Sequence, residues 1–463
     1  MSHSLIVTLR SLTGNPRGCV YTEPLWGIPY NLIAPYASVY MLALGLTDQN
    51  IGLVLSVSWG FQVFWALLSG AITDKLGRRR TTLIFDILAW TVPALIWAFS
   101  QNIWWFLAAG IMNAIWRVTM NSWTCLLVED ADQTQLVEIY TWIHIANQAA
   151  GFVAPVAGIL VARYSLVPTM QVLYLFAAVM FTLKAVLTYL MTVETGQGEV
   201  RMTETHGQSI FSVLGEYHGV VQDILRRPAT LYTGGIMLIV AIVGMINGSF
   251  WAILVTEKLN VPPQYLAIFP FVKSAIVLSF FFFVMPRMSK MHFKWPMVIG
   301  FLAFALAQVL LILAPEQGYI ILILSVFVEA CAFAAVSPLI DKLIVLTIDP
   351  QERARIQSIL YVGVILLTAP FGWIAGTLSS INNNLPFLLT IVLLLIGAWL
   401  RFSGLNWDGD EHLHPDERFL TMVTSSLQTP QDLLGYLDTN TSMLNPRNTG
   451  HAFYVYGTWP IVL

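Results

Sequence analysis

Five charged residues crowd into the seven positions from Asp74 to Arg80, in a chain of 463 residues of which only 11% are charged. The stretch reads Gly70-x-x-x-Asp74-x-x-Gly77-Arg78-Arg79-Arg80, with apolar segments on either side. Its chemistry is electrostatic. Cations in a turn between apolar segments fix which side of a bilayer the turn occupies. That reading needs neither the glycines nor Asp74. Further ionisable residues, Arg117, His144, Lys273 and Glu329, stand inside apolar runs. Charge at mid-bilayer is costly, so each is a functional candidate by default. Arg117 either faces a solute or proton partner, or pairs with backbone carbonyls. Lys273 and Glu329 are expected to pair, either to neutralise each other or so that a proton on Glu329 opens the pair. His144 is a proton carrier or simply a hydrogen-bonded side chain. Asp86 and Lys184 read as structural.

These residues need elements to hold them. At 57% hydrophobic, the chain carries less than half the roughly 25% charged residues of an ordinary soluble domain. Most of its surface must therefore face lipid. A bilayer core takes about 20 apolar residues per helix. Twelve runs qualify: 27–46, 51–73, 81–100, 103–128, 138–162, 167–192, 229–256, 264–286, 295–314, 318–346, 355–379 and 385–402. Backbone groups cannot stay unpaired in lipid, so the runs are predicted helices, with interior prolines such as Pro35, Pro93, Pro155 and Pro370 as kinks. Loop Lys and Arg fall overwhelmingly on the side of the Asp74–Arg80 turn; the other side holds Arg163 and Lys258. The charge-rich side, with both termini, is expected to be cytoplasmic. Neutral polar residues at plausible depth (Asn31, Gln62, Asn113, Asn147, Gln148 and Asn247) and aromatic neighbours such as Tyr30, Trp116 and Trp123 suit an organic, partly apolar solute. Cys19, Cys125 and Cys331 form neither a disulfide framework nor a zinc site. No metal, cofactor or nucleic acid is expected. The first 26 residues lack a cleavable leader pattern and read as an interfacial segment.

A polar stretch, 193–228, splits the spans into two sixes that resemble each other at an offset of about 215 residues, the weak symmetry that transporters carry. Span 4 ends VEDADQTQ and span 10 ends TIDPQERA; Ala154–Pro155 matches Ala369–Pro370; the basic turn aligns loosely with Pro286–Lys294. Six plus six helices with the Gly70–Arg80 motif after span 2 resemble the major facilitator superfamily over residues 24–402. The resemblance implies a secondary transporter working by alternating access. It implies that the motif glycine packs span 2 against span 11. It also implies that Asp74, Gly77, Arg78 and Arg79 form a latch with an acid at the end of span 4, here Glu129 or Asp130. An exporter pattern in span 5 is only partly kept, in Pro155 and Gly158.

After span 12 the chain turns polar. RFSGLNWD and HPDERF resemble the first loop of glycosyltransferases that use lipid-linked sugars, which would make Asp408, Asp416 or Glu417 the matching acids. Twelve preceding spans place that loop on the wrong side for such activity. The reading is thus an all-α polytopic membrane protein: interfacial segment 1–26, bundle 27–192, linker 193–228, bundle 229–402 and tail 403–463. The expected function is ion-coupled export of a small organic solute, with protons as coupling ion, by a monomer in the bacterial inner membrane and without enzymatic activity. The alternatives are a transport-inactive sensor or scaffold, or a glycosyltransferase fragment.

Overall fold

The computed structural model describes residues 9, 12–132, 135–207, 228–284, 294–347, 353–402, 422–428 and 442–450. The chain divides into two units, Met1–Leu400 and Arg401–Leu463. In the second, a short helix covers 422–426 and turns cover 443–450. Asp408, Asp416 and Glu417 lie outside the described residues, as do 348–352 and most of Pro286–Lys294, on which two of the repeat matches rest.

The first unit is helical, with no strand among the described residues. Among the described residues nine helices are long and apolar enough to cross a membrane, from Asp48–Leu76 to Ile359–Ile381. Met297–Leu313 and Leu385–Gly397 are shorter apolar helices. The first expected span is broken into Pro24–Ile33, a 3-10 turn Ala34–Tyr36, and Ala37–Ala43. Each expected run coincides with described helices, and nine of the twelve are long and apolar enough there to span. Their outer faces carry bare aliphatic side chains, among them Ile320 at 84% and Ile159 at 68% exposed, a surface that lipid tolerates and water does not.

The prolines do more than kink. Pro93 has no N–H for the carbonyl four residues back, that of Ala89, and its ring would clash with it. The chain answers with a π-helical segment, Ile87–Thr91, before Val92–Ala98 resumes. The Ala89 carbonyl then takes a hydrogen bond from the Asn113 side chain at 2.9 Å. Pro155 likewise follows a 3-10 turn, Gly151–Val153, and opens the helix Pro155–Tyr164. Pro370 is passed within one continuous helix, Arg353–Ile381.

The two six-span halves touch at the end away from the Asp74–Arg80 turn. There spans 2 and 11 approach backbone to backbone. A Cβ on Gly52 would stand 2.8 Å from the Gly376 Cα and would strike the Gly372 carbonyl; one on Gly376 would stand 2.5 Å from the Asp48 carbonyl oxygen. The Trp373 N–H donates to Ser56 Oγ at 2.6 Å, and Ser379 Oγ donates to Asp48 Oδ2 at 2.5 Å. Spans 5 and 8 close similarly, with Gly158 against the Gln264 carbonyl and Phe152 edge-on to Phe271 at 5.2 Å. The close packing expected of Gly70 is therefore found elsewhere: a Cβ on Gly70 would meet nothing within 4 Å. The reason is that spans 2 and 11 meet at the start of span 2, whereas Gly70 lies near its end.

Substitution should separate the two glycines. Gly52→Val forces the helices apart and is expected to cost about 1–3 kcal/mol, the usual range for overpacking. Gly70→Ala removes backbone freedom without a clash and should leave stability equal or raised by about 0.5–1 kcal/mol. Thermal unfolding of the purified protein checks both signs.

Candidate functional site

The knot at the end of spans 2, 3 and 4 is built around one guanidinium. Span 2 stops at Gly77, whose φ of 83° and ψ of 158° suit glycine alone. A Cβ there would also stand 2.6 Å from Glu194 Oε2. Beyond Gly77 the helix Arg78–Asp86 begins, and its free backbone donors face Glu194. The Arg78 N–H donates to Glu194 Oε1 at 2.8 Å and the Arg79 N–H to Oε2 at 3.1 Å. A carboxylate at a helix N-terminus satisfies orphan donors and complements the dipole.

The Arg78 side chain, 5% exposed, pairs with Asp74 Oδ1 at 3.0 Å. It forks onto Glu129, from Nε to Oε2 at 3.1 Å and from Nη2 to Oε1 at 3.1 Å. The alternative left open by the sequence is thereby resolved: Glu129 takes the arginine. Asp130 instead accepts from Asn15 Nδ2 at 3.2 Å and from the Gly196 N–H at 3.3 Å. Arg79 turns away and lies on the Tyr189 ring at 3.8 Å, donating to the Tyr189 carbonyl at 2.8 Å.

A short linker helix, Gly196–Glu204, closes the knot. Its N-cap, Thr195, accepts from the Gly198 N–H at 2.9 Å and donates to Glu129 Oε2 at 2.5 Å. Arg201 reaches Asp74 Oδ2 at 3.0 Å, and its hydrogen bonds to that carboxylate push the Arg201 pKa up. Glu194, Thr195, Arg201 and Asn15 were not foreseen. Thr195 had a local signal, a threonine N-cap with Glu199 in the first turn. Glu194 had none, because its partners lie more than a hundred residues back.

The expected pathway residues fall into separate places. Arg117 donates to Gln62 Oε1 at 2.9 Å and stacks on Trp116 at 4.0 Å. It is thus held by side chains rather than by backbone carbonyls. Lys273 and Glu329 pair at 2.8 Å. Asn31 bonds the Gly27 carbonyl of its own helix at 2.8 Å. Asn113 serves the carbonyl freed by Pro93. The Asn247 Oδ1 is buried and has no hydrogen-bond partner among the described residues. His144 is exposed, and Gln148 is half-buried.

A cavity of about 540 Å³ opens inside the first half. Spans 1, 2, 3, 4 and 6 line it, and Gly248 is the second half's contribution. Among the expected pathway residues, Asn113 lines it; Arg117, Gln62, Lys273 and Glu329 do not. Its charged groups are Glu23, Asp86 and Lys184. Lys184 Nζ sits 2.5 Å from Asp86 Oδ2, and Asp86 Oδ1 accepts from Thr119 Oγ1 at 2.7 Å.

Removing one partner of a buried ion pair weakens the hold on the other. Glu129→Ala leaves the buried Arg78 with Asp74 as its remaining acid and should cost less than the roughly 3–5 kcal/mol of a fully stranded charge but more than about 1 kcal/mol. Arg201→Ala breaks a pair whose arginine is 40% exposed and should cost less than about 1 kcal/mol. Denaturation of both variants beside wild type measures the difference.

A family model described as the Major Facilitator Superfamily matches residues 26–293. The multidrug resistance protein MdtG of Serratia proteamaculans (strain 568) is 25% identical over 203 residues, 42% of this chain and 47% of that protein. MdtG of Enterobacter lignolyticus (strain SCF1) is 24% identical over 211 residues, 44% of this chain and 48% of that protein. The chain spans about half the length of these curated relatives. Among solved structures, the nucleoside transporter NupG aligns with a TM-score of 0.62 at 16% identity, covering 84% of this chain and 98% of that one. A bacterial homologue of the human lysosomal transporter Spinster, in an inward-facing and occupied conformation, aligns with a TM-score of 0.65 at 15% identity, covering 84% and 95%. At such identities the likeness carries the fold. The family model spans more than half of the sequence, and the fold agrees with it: this chain belongs to the Major Facilitator Superfamily.

Proposed function

We propose that the protein is a secondary active transporter exporting a small organic solute by alternating access, coupled to protons. It would act in a bacterial inner membrane with both termini in the cytoplasm. The observation that carries the reading is the one-sided meeting of the halves. Glycine backbones seal spans 2 and 11 at one end, while at the other end a Cβ on Gly70 would have open space around it. With the basic turn on the cytoplasmic side, this is an inward-facing arrangement. A rocking motion would open the glycine seal and close the other end. One chain holds both halves, so a monomer suffices.

The Arg78 knot has the character of a state-setting latch. Its described partners lie on spans 2 and 4 and on the segment 194–201, so it does not itself bridge the halves in this arrangement. The linker helix, which leads toward span 7, is the element through which it would act. Glu329 is the proposed proton site: a proton on its carboxylate removes the charge that holds Lys273. Arg117 with Gln62 is the matching polar pair of the first half. The multidrug resistance names of the relatives support export of organic solutes.

Proteoliposomes under an imposed pH gradient test this, challenged with organic cations, nucleosides and sugars. Wild type should show solute-dependent proton movement. Glu329→Gln should abolish proton movement while leaving solute flow down its own gradient, and Asp74→Asn should slow both. Full proton coupling in Glu329→Gln would remove that residue from the mechanism. Absence of movement with every solute would favour the scaffold reading.

A further inference from the structure

We propose that the cavity inside the first half is a binding site for an organic cation, with Glu23 as its anionic anchor. The site is separate from the Arg117 and Lys273–Glu329 groups discussed above. It names a solute class for the transport reading and rests on that reading for movement, not for binding.

Two acidic side chains and one lysine line the cavity, a formal charge of −1. Asp86 is fully served, by Lys184 at 2.5 Å and Thr119 at 2.7 Å. Glu23 is not. It is 7% exposed, and among the described residues its one hydrogen bond comes from Asn147 Nδ2 at 3.2 Å. Lys184 lies within electrostatic range of Glu23 but is bonded to Asp86. A buried carboxylate with a single neutral donor is an under-satisfied acceptor facing an open space, and a proton or a bound cation satisfies it.

The walls say which kind. Trp26 and Tyr30 follow Glu23 at three and seven residues, so all three share one helix face. Their rings stack at 4.7 Å, and Trp90 meets them edge-on at 5.2 Å and 6.4 Å. Lys184 Nζ already lies 5.7 Å from the Trp123 ring, so a cation over an indole is part of the cavity's own structure. Aromatic faces beside one carboxylate attract an alkylammonium through ring quadrupoles and charge together. A small hydrated metal ion would find few oxygen ligands here, and the described residues contain no cluster of three metal-binding side chains. A volume of about 540 Å³ lies within the range of drug-sized ligand pockets.

The test is equilibrium binding of radiolabelled benzyltrimethylammonium to the full chain in nanodiscs. Neopentylbenzene, the same shape without charge, is the competitor. No gradient is involved, so a failed transport assay and a failed binding assay are told apart. Wild type should bind the cation, and the neutral isostere should compete at least tenfold more weakly. Glu23→Gln keeps the volume and should weaken binding at least tenfold; Trp90→Leu should weaken it about threefold to tenfold and stands as the second variant if Glu23→Gln does not fold. Glu257→Gln, a carboxylate of the second half outside the cavity, should change nothing. Binding unaffected by Glu23→Gln and Trp90→Leu, or equal displacement by neopentylbenzene, would overturn the proposal. So would the absence of saturable binding to wild type.

Discussion

The Arg78 guanidinium is the interaction on which one whole end of the first half depends. A buried arginine is tolerable only if its donors are met by charge. Glu129 accepts from Nε and Nη2, and Asp74, on another helix, stands 3.0 Å from Nη1 as an ion pair. The same residue's backbone, with that of Arg79, holds Glu194. Spans 2, 3 and 4 and the end of span 6 are thereby tied through one side chain and one turn. Gly77 is required because the carboxylate of Glu194 occupies the place where a Cβ would stand. The glycine and the aspartate of the motif, which topology alone leaves unexplained, are both consequences of burying that arginine.

The opposite end is held by shape instead of charge. Gly52, Gly372 and Gly376 remove the side chains that would keep spans 2 and 11 apart, and carbonyls press against Cα atoms. Such contacts rely on dispersion and on small polar bonds such as Ser379 to Asp48. A charged knot within one half and a glycine seam between the halves are suited to different tasks. The first keeps a bundle rigid, and the second lets two bundles meet and part.

Several polar residues that looked like pathway candidates are answers to backbone problems. Asn113 fills the carbonyl that Pro93 leaves bare, and Asn31 bonds its own helix. In a membrane an orphan carbonyl costs several kcal/mol, so a nearby amide is a structural necessity before it is a solute ligand. Asp86 and Lys184, read as structural, do form a close pair, yet the pair stands in the wall of a cavity beside Glu23.

The sequence by itself determined the helical class, the runs that become helices, the family and the identity of the charged residues inside them. Those properties are local: hydropathy over twenty residues and a motif eleven residues long. It also predicted that Lys273 would find Glu329, because opposite charges inside apolar runs have few other options. Tertiary structure alone decided that Glu129 rather than Asp130 takes Arg78, since neighbours in sequence point to different faces at a helix end. It decided that the close approach to span 11 falls at Gly52 and not Gly70, which depends on how the halves are tilted. It brought Glu194 to the start of span 3 across 116 residues of chain, and Glu23 beside Asn147 across 124. Pairings over such distances leave no periodic trace, because they are fixed by how helices pack and not by the residues between them.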